Sequence, residues 1–215
     1  MKVPIWDLPT RLFHWVLAGL VGFSWWTAET HRDDLHIWSG VAVLTLLIFR
    51  ILWGFVGSST ARFANFVRGP RAVFGYLRGE WKGIGHNPLG AISVIVLLGL
   101  LIVQVCLGLI SSDDDGLVEG PLAPLVSSAT SEWAVDLHET LFNVLLALIA
   151  LHLAAILFYR VRGKGLIGPM VTGRGAAEPG TEPMRRGKTR AALLCLLIAI
   201  AITRWIIAGA PPFGG

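Results

Sequence analysis

Apolar residues gather in five runs, at about 10–28, 36–56, 89–110, 137–159 and 189–209, each near the ~20 residues a helix needs to cross a ~30 Å hydrocarbon layer. In such a layer only helices and closed barrels satisfy every backbone polar group. Runs of this length predict an all-α membrane protein. A hydrophobic content of 54%, a charged content of 15% and a mean hydropathy of +0.66 agree with that expectation. The first run carries Trp15, Trp25 and Trp26, side chains that suit the membrane interface. It follows Trp6-Asp7-Leu8-Pro9 and not a basic leader, and no small-residue cleavage site comes after it, so it is read as part of the mature chain.

The charges between the runs divide by side. Lys2 and Arg11 precede the first run, Arg62, Arg68, Arg71, Arg78 and Lys82 follow the second, and eight Lys and Arg between 160 and 190 follow the fourth. The other side has Arg32 in its first loop and an acidic second loop with Asp113, Asp114, Asp115, Glu119, Glu132 and Asp136. By the positive-inside rule the N-terminus is cytoplasmic and, after five crossings, the C-terminus is outside. Because the net charge of +4 is partitioned by loop and not gathered on one soluble face, nucleic acid is not an expected partner; membrane lipid is. Cys106 and Cys195 both fall inside apolar runs, where a thiol behaves as a small apolar side chain, and no disulfide is expected. There is no Cys-x-x-Cys-His and too few cysteines for an iron–sulfur cluster or a four-cysteine zinc site, so any metal needs histidine.

Between the second and third runs, Gly69-Pro70 opens an amphipathic stretch, 71–78, that predicts a short surface helix. Residues 163–188, rich in Gly, Pro and charge, read as a flexible linker. The expected organisation is a four-helix core over 1–160, a cytoplasmic linker over 161–188, and a fifth, C-terminal transmembrane helix with its tail over 189–215.

Four of the six histidines stand in or at the ends of the runs, and ionisable residues there are rare without a task. His138 and His152 are fourteen residues apart on one predicted helix, so at ~100° and ~1.5 Å per residue they share a face and differ in height by roughly 21 Å. His14, near the inner end of the first run, is level with His152; His36, at the outer start of the second, is level with His138. Each pair can supply two imidazoles to one haem iron, the bis-histidine ligation that fills both axial positions. Two b-type haems are expected, with His14 and His152 on the inner iron and His36 and His138 on the outer. His31, in the polar loop beside Arg32, Asp33 and Asp34, is the rival of His36 for the outer position. Arg50, near the inner end of the second run, either snorkels to headgroups or neutralises a haem propionate. His86 and Asn87 precede Pro88 at the inner start of the third run, where Asn87 suits a helix cap and the pair also suits a quinone.

Trp6-Asp7-Leu8-Pro9-Thr10-Arg11-Leu12-Phe13-His14-Trp15, His36-Ile37-Trp38-Ser39-Gly40, Phe49-Arg50-Ile51-Leu52-Trp53-Gly54-Phe55, Gly85-His86-Asn87-Pro88-Leu89-Gly90 and the His138 to His152 spacing together resemble the bacterial cytochrome b561-type membrane proteins. That family is related to the b-type cytochrome subunits of nickel–iron hydrogenases and to the gamma subunit of formate dehydrogenase. The resemblance covers about residues 4–173. It implies a four-helix core in the bacterial inner membrane, haem b on His14, His36, His138 and His152, and a quinone pocket near the inner haem that takes in His86 and Asn87.

Three functions follow as expectations. The first is respiratory electron transfer between the quinone pool and a redox partner, either a periplasmic cytochrome c or a dehydrogenase or hydrogenase subunit. The second is a stand-alone superoxide:quinone oxidoreductase, which needs a basic patch at the outer haem, where Arg32 is the single basic loop residue. The third is a haem-free anchor, or a transporter whose histidines bind metal or relay protons.

Overall fold

The computed structural model describes residues 1–113 and 118–211, so Asp114 and Asp115 of the acidic loop and the tail 212–215 lie outside it. A short strand β1 (Lys2–Pro4) leads into α1 (Leu8–Glu29) and α2 (Asp33–Val56). After the short helices α3 (Phe63–Phe66) and α4 (Pro70–Leu77) come α5 (Pro88–Ile110), α6 (Ser128–Val161), α7 (Ile167–Thr172), strand β2 (Arg174–Ala176) and α8 (Thr189–Ile207). Four of these, α2, α5, α6 and α8, are long and apolar enough to cross a membrane. The expected fifth crossing falls short at α1. Its 22 residues suffice in length, but Arg11, His14, Thr27 and Glu29 dilute its apolar character.

Helix α6 begins nine residues before the apolar run that announced it, because Ser127 starts the helix: the Thr130 amide donates to its hydroxyl at 3.3 Å. Its first turns bury Ser131 and Ala134, and the Ser131 hydroxyl donates to the Ile110 carbonyl at 2.6 Å. The surface helix is α4, with Pro70 in its first turn as the Gly69-Pro70 pair predicts.

The chain forms two compact units. One comprises residues 1–14, 50–97 and 149–195. Here β1 and β2 pair antiparallel, with Lys2 opposite Ala176, Val3 opposite Gly175 and Pro4 opposite Arg174. Val3, Ile5 and Trp6 are buried against Ile84, Met170 and Ala177. Gly173 ends α7 in the left-handed region at φ 78°; its carbonyl accepts from the amides of Ile5 and Trp6, and a Cβ there would stand 2.9 Å from the Trp6 carbonyl oxygen. The segment that reads as a flexible linker is therefore tied down: besides β2, the Met184 amide donates to the Pro4 carbonyl at 3.1 Å and the Ser59 amide to the Arg185 carbonyl at 3.0 Å. Its Gly and Pro serve turns within a fixed path.

The second unit comprises residues 15–49, 98–148 and 196–215. Val43, Leu44, Leu47, Leu101 and Leu145 form its buried apolar centre. The Thr45 hydroxyl of α2 donates to the Thr203 hydroxyl of α8 at 3.0 Å. Ala199 and Thr203, both buried on α8, are the small residues that allow close helix approach where apolar burial gives little drive.

Candidate haem-binding histidine pairs

In the second unit, His36 of α2 and His138 of α6 face each other with ring centroids 6.1 Å apart and planes at 82°. The His36 Nδ1–H donates to the Ser24 carbonyl at 3.0 Å, with the Ser24 hydroxyl 3.3 Å away. The His138 Nδ1–H donates to the Gln104 carbonyl at 2.9 Å. A ring nitrogen bonded to a carbonyl in this way fixes the tautomer, so both Nε2 lone pairs are left for a metal. Two imidazoles sharing one metal at bonds of about 2 Å need a separation of this size. Among the described residues no three His, Cys, Asp or Glu gather to hold a metal ion. Two imidazoles are what the protein would offer here to an iron already held in a porphyrin.

Both rings line a cavity of about 660 Å³ together with Gly40, Gln104, Gly108 and Phe142. A Cβ on Gly40, one turn after His36, would meet nothing within 4 Å, so open space lies over that backbone. The cavity and the paired, oriented imidazoles fit a flat macrocycle. His31 also lines the cavity, in a left-handed turn at φ 51°; of the two rivals, His36 is the one whose ring meets that of His138.

Gln104 carries a role that the sequence reading passed over. Its side-chain amide donates to the His138 carbonyl at 2.8 Å while its own carbonyl holds the His138 ring, so α5 grips the residue at both ends. The available signal was a carboxamide inside an otherwise apolar 23-residue helix. Gly108 fits against the same ring, and a Cβ there would stand 3.1 Å from His138 Cε1. Gly108→Val is expected to turn the imidazole away from its present line and, if His36 and His138 ligate a haem, to shift or abolish its spectrum; absorption and electron paramagnetic resonance of the purified variant measure this.

The first unit contains His14 of α1 and His152 of α6, close enough to interact electrostatically. In the same unit Arg50 of α2 is 2% exposed. Its Nη2 donates to the Ala61 carbonyl at 3.1 Å, its guanidinium lies over the Phe63 ring at 4.8 Å, and its Nη1 is buried without a hydrogen-bond partner. A buried guanidinium nitrogen of that kind fits an acidic group of a ligand better than it fits snorkelling. Asp7 caps α1, its Oδ1 accepting from the Thr10 amide at 2.6 Å and its Oδ2 from Trp53 Nε1 at 3.2 Å.

His86 is held between Trp6 and Phe66, at centroid distances of 4.6 and 4.8 Å, and lines a cavity of about 540 Å³. Asn87 acts as a cap: its Oδ1 accepts from the Gly90 amide at 2.7 Å at the start of α5. Desolvation, and then the Arg50 charge with smaller contributions from His14 and His152, pushes His86 down from 6.5 to about 3. The unfolded chain therefore takes up this proton first as the pH falls. The stability His86 contributes is full above pH 6.5 and is lost toward pH 3. His86→Phe, which keeps an aromatic ring between Trp6 and Phe66, is expected to flatten that loss in melting temperatures measured across the window; an unchanged pH profile would show that other groups govern it.

A family model described as prokaryotic cytochrome b561 matches residues 5–173. Among curated proteins and solved structures nothing matches the chain.

Proposed function

The chain belongs to the prokaryotic cytochrome b561 family, and so to the membrane proteins that transfer electrons through b-type haem; on that premise we propose that it holds two haems b and passes electrons between the quinone pool and a redox protein. The observation that carries this reading is the facing His36 and His138 with both Nδ1 atoms bound to carbonyls.

His36 and His138 hold one haem, and His14 and His152 the other. Haem b held by these histidines would supply one-electron chemistry. The protein's part is to fix the rings and exclude water. The Ser24 and Gln104 carbonyls make their imidazoles more basic and hold them in line. Arg50 Nη1, buried without a hydrogen-bond partner, would hold a propionate in the first unit. His86 offers an uncharged ring to a quinone headgroup, and Asn87, its Oδ1 already used in the cap, offers its amide hydrogens. α1 serves as a membrane crossing with α2, α5, α6 and α8, which leaves the N-terminus cytoplasmic and the C-terminus periplasmic.

Glu29, Asp33 and Glu139 line the cavity of the second unit, and among the described residues neither Lys nor Arg lines it. An acidic surround repels superoxide and attracts a basic protein face, which favours a redox protein such as a cytochrome c over the stand-alone oxidase. Reduced-minus-oxidised spectra of the purified full chain test the proposal. Overlapping b-type bands that titrate at two potentials are expected; no b-type absorption would overturn it.

A further inference from the structure

The 540 Å³ cavity of the first unit has a second side that quinone chemistry does not use. Arg62, Arg68 and Arg185 line it, with Ser59 and Asn65 between them. Segments distant in sequence are clamped to form this wall. The Arg185 amide donates to the Ser59 hydroxyl at 3.0 Å, the Ser59 amide donates to the Arg185 carbonyl at 3.0 Å, and the Asn65 side chain donates to the Ser59 carbonyl at 2.7 Å.

The charge of this wall is largely uncompensated. Among the described residues one ion pair is formed, Arg185 to Glu182 at 3.1 Å. The Arg62 guanidinium meets the Gly57 carbonyl at 3.0 Å and the Arg68 guanidinium the Asn65 carbonyl at 3.4 Å. Each therefore uses a neutral acceptor and keeps its charge and most of its donors for a ligand. Among the described residues Glu182 is the single carboxylate lining the cavity, against three arginines.

Position narrows the ligand class. The wall lies just beyond Val56, where α2 ends, and before Pro88, where α5 begins. For helices that cross a bilayer this is headgroup depth, where basic pockets bind anionic lipid. Arginine forks match the oxygens of a phosphate ester. We propose that Arg62, Arg68 and Arg185 form a binding site for the phosphate of an anionic phospholipid headgroup. His86 lines the same cavity, but the phosphate site uses none of its atoms and stands whether or not a quinone binds.

The test uses the full haem-loaded chain in lipid nanodiscs and in detergent, with phosphatidylglycerol and phosphatidylcholine as probes and retained lipid counted by native mass spectrometry. Retention of phosphatidylglycerol over phosphatidylcholine is expected. The combined variant R62Q/R68Q/R185Q should weaken it roughly fivefold per arginine, on the order of a hundredfold in all. The variant R71Q/R78Q/K82Q, which removes basic residues of the same loop that do not line the cavity, should retain the lipid. Equal loss in both variants, or equal retention of the two lipids, would overturn the site. Displacement of the lipid by excess inorganic phosphate at unchanged ionic strength would assign the arginines to a free anion and overturn the lipid assignment. If the glutamine variant loses haem, R62K/R68K/R185K replaces it: loss of the forks should weaken phosphatidylglycerol retention severalfold while the retained charge keeps some preference, and retention as strong as in the unaltered chain would overturn the arginine site.

Discussion

Replacing His138 with alanine should halve the haem content of the purified chain, and His36→Ala should do the same to the same haem. Each change removes one imidazole of the facing pair and leaves its partner, still tethered to Ser24 or Gln104, with no second ligand across the iron. His14→Ala and His152→Ala should instead spare that haem and remove the other. Pyridine haemochrome content together with redox titration resolves the two cases, because the surviving haem keeps its own potential. Loss of both haems from every single change would leave the pairing without support. His31→Ala is the control: it lies in the same cavity, and its haem content should stay at the wild-type level.

The second large effect belongs to Asp7, which is 8% exposed. Asp7→Ala removes the α1 cap to Thr10, the acceptor of Trp53 Nε1, and a negative charge that acts on buried Arg50. A lost cap costs about 1 kcal/mol and a buried donor left unmade about 1–3 kcal/mol; the lost charge, which favours the Arg50 cation without an ion-pair contact, adds to these. These contributions overlap, so a loss of about 4 kcal/mol is expected, read as a fall in melting temperature of the detergent-solubilised chain. Asp7→Asn separates them. Its single carbonyl oxygen can keep the cap to the Thr10 amide, while the charge and the acceptor of Trp53 Nε1 are lost, so it should cost about 3 kcal/mol, and adding Arg50→Met should recover part of that. If Asp7→Asn were as damaging as Asp7→Ala, the cap would matter little beside the lost charge and the lost acceptor of Trp53 Nε1.

Much of this could be read from residue order because length and apolarity are local properties. The second, third and fifth runs reappear as α2, α5 and α8 within a few residues, and Gly69-Pro70 marks the start of α4. The histidine spacing lies on one unbroken helix, α6. What stayed hidden depends on partners distant in the chain. The early start of α6 is polar and leaves no apolar trace. Residues 163–188 look flexible by composition because glycine and proline signal turns whether or not the path is fixed; it is the pairing with residues 2–4 that fixes it. The grip of Gln104 on His138 is made by a backbone carbonyl, a group every residue has, so no residue type could announce it.

The small β1–β2 ribbon imposes a parity on the whole membrane topology. Hydrogen-bonded strands must share one aqueous compartment, so the chain between Pro4 and Arg174 has to traverse the bilayer an even number of times. Apolarity alone offers three traverses in that interval, α2, α5 and α6, and an odd count would strand the two halves of the ribbon in opposite compartments. Counting α1 restores evenness, which is the strongest support for α1 as a crossing despite its diluted composition. A single cysteine placed at position 31 should accordingly react with an impermeant maleimide only from the compartment opposite the one that labels position 2.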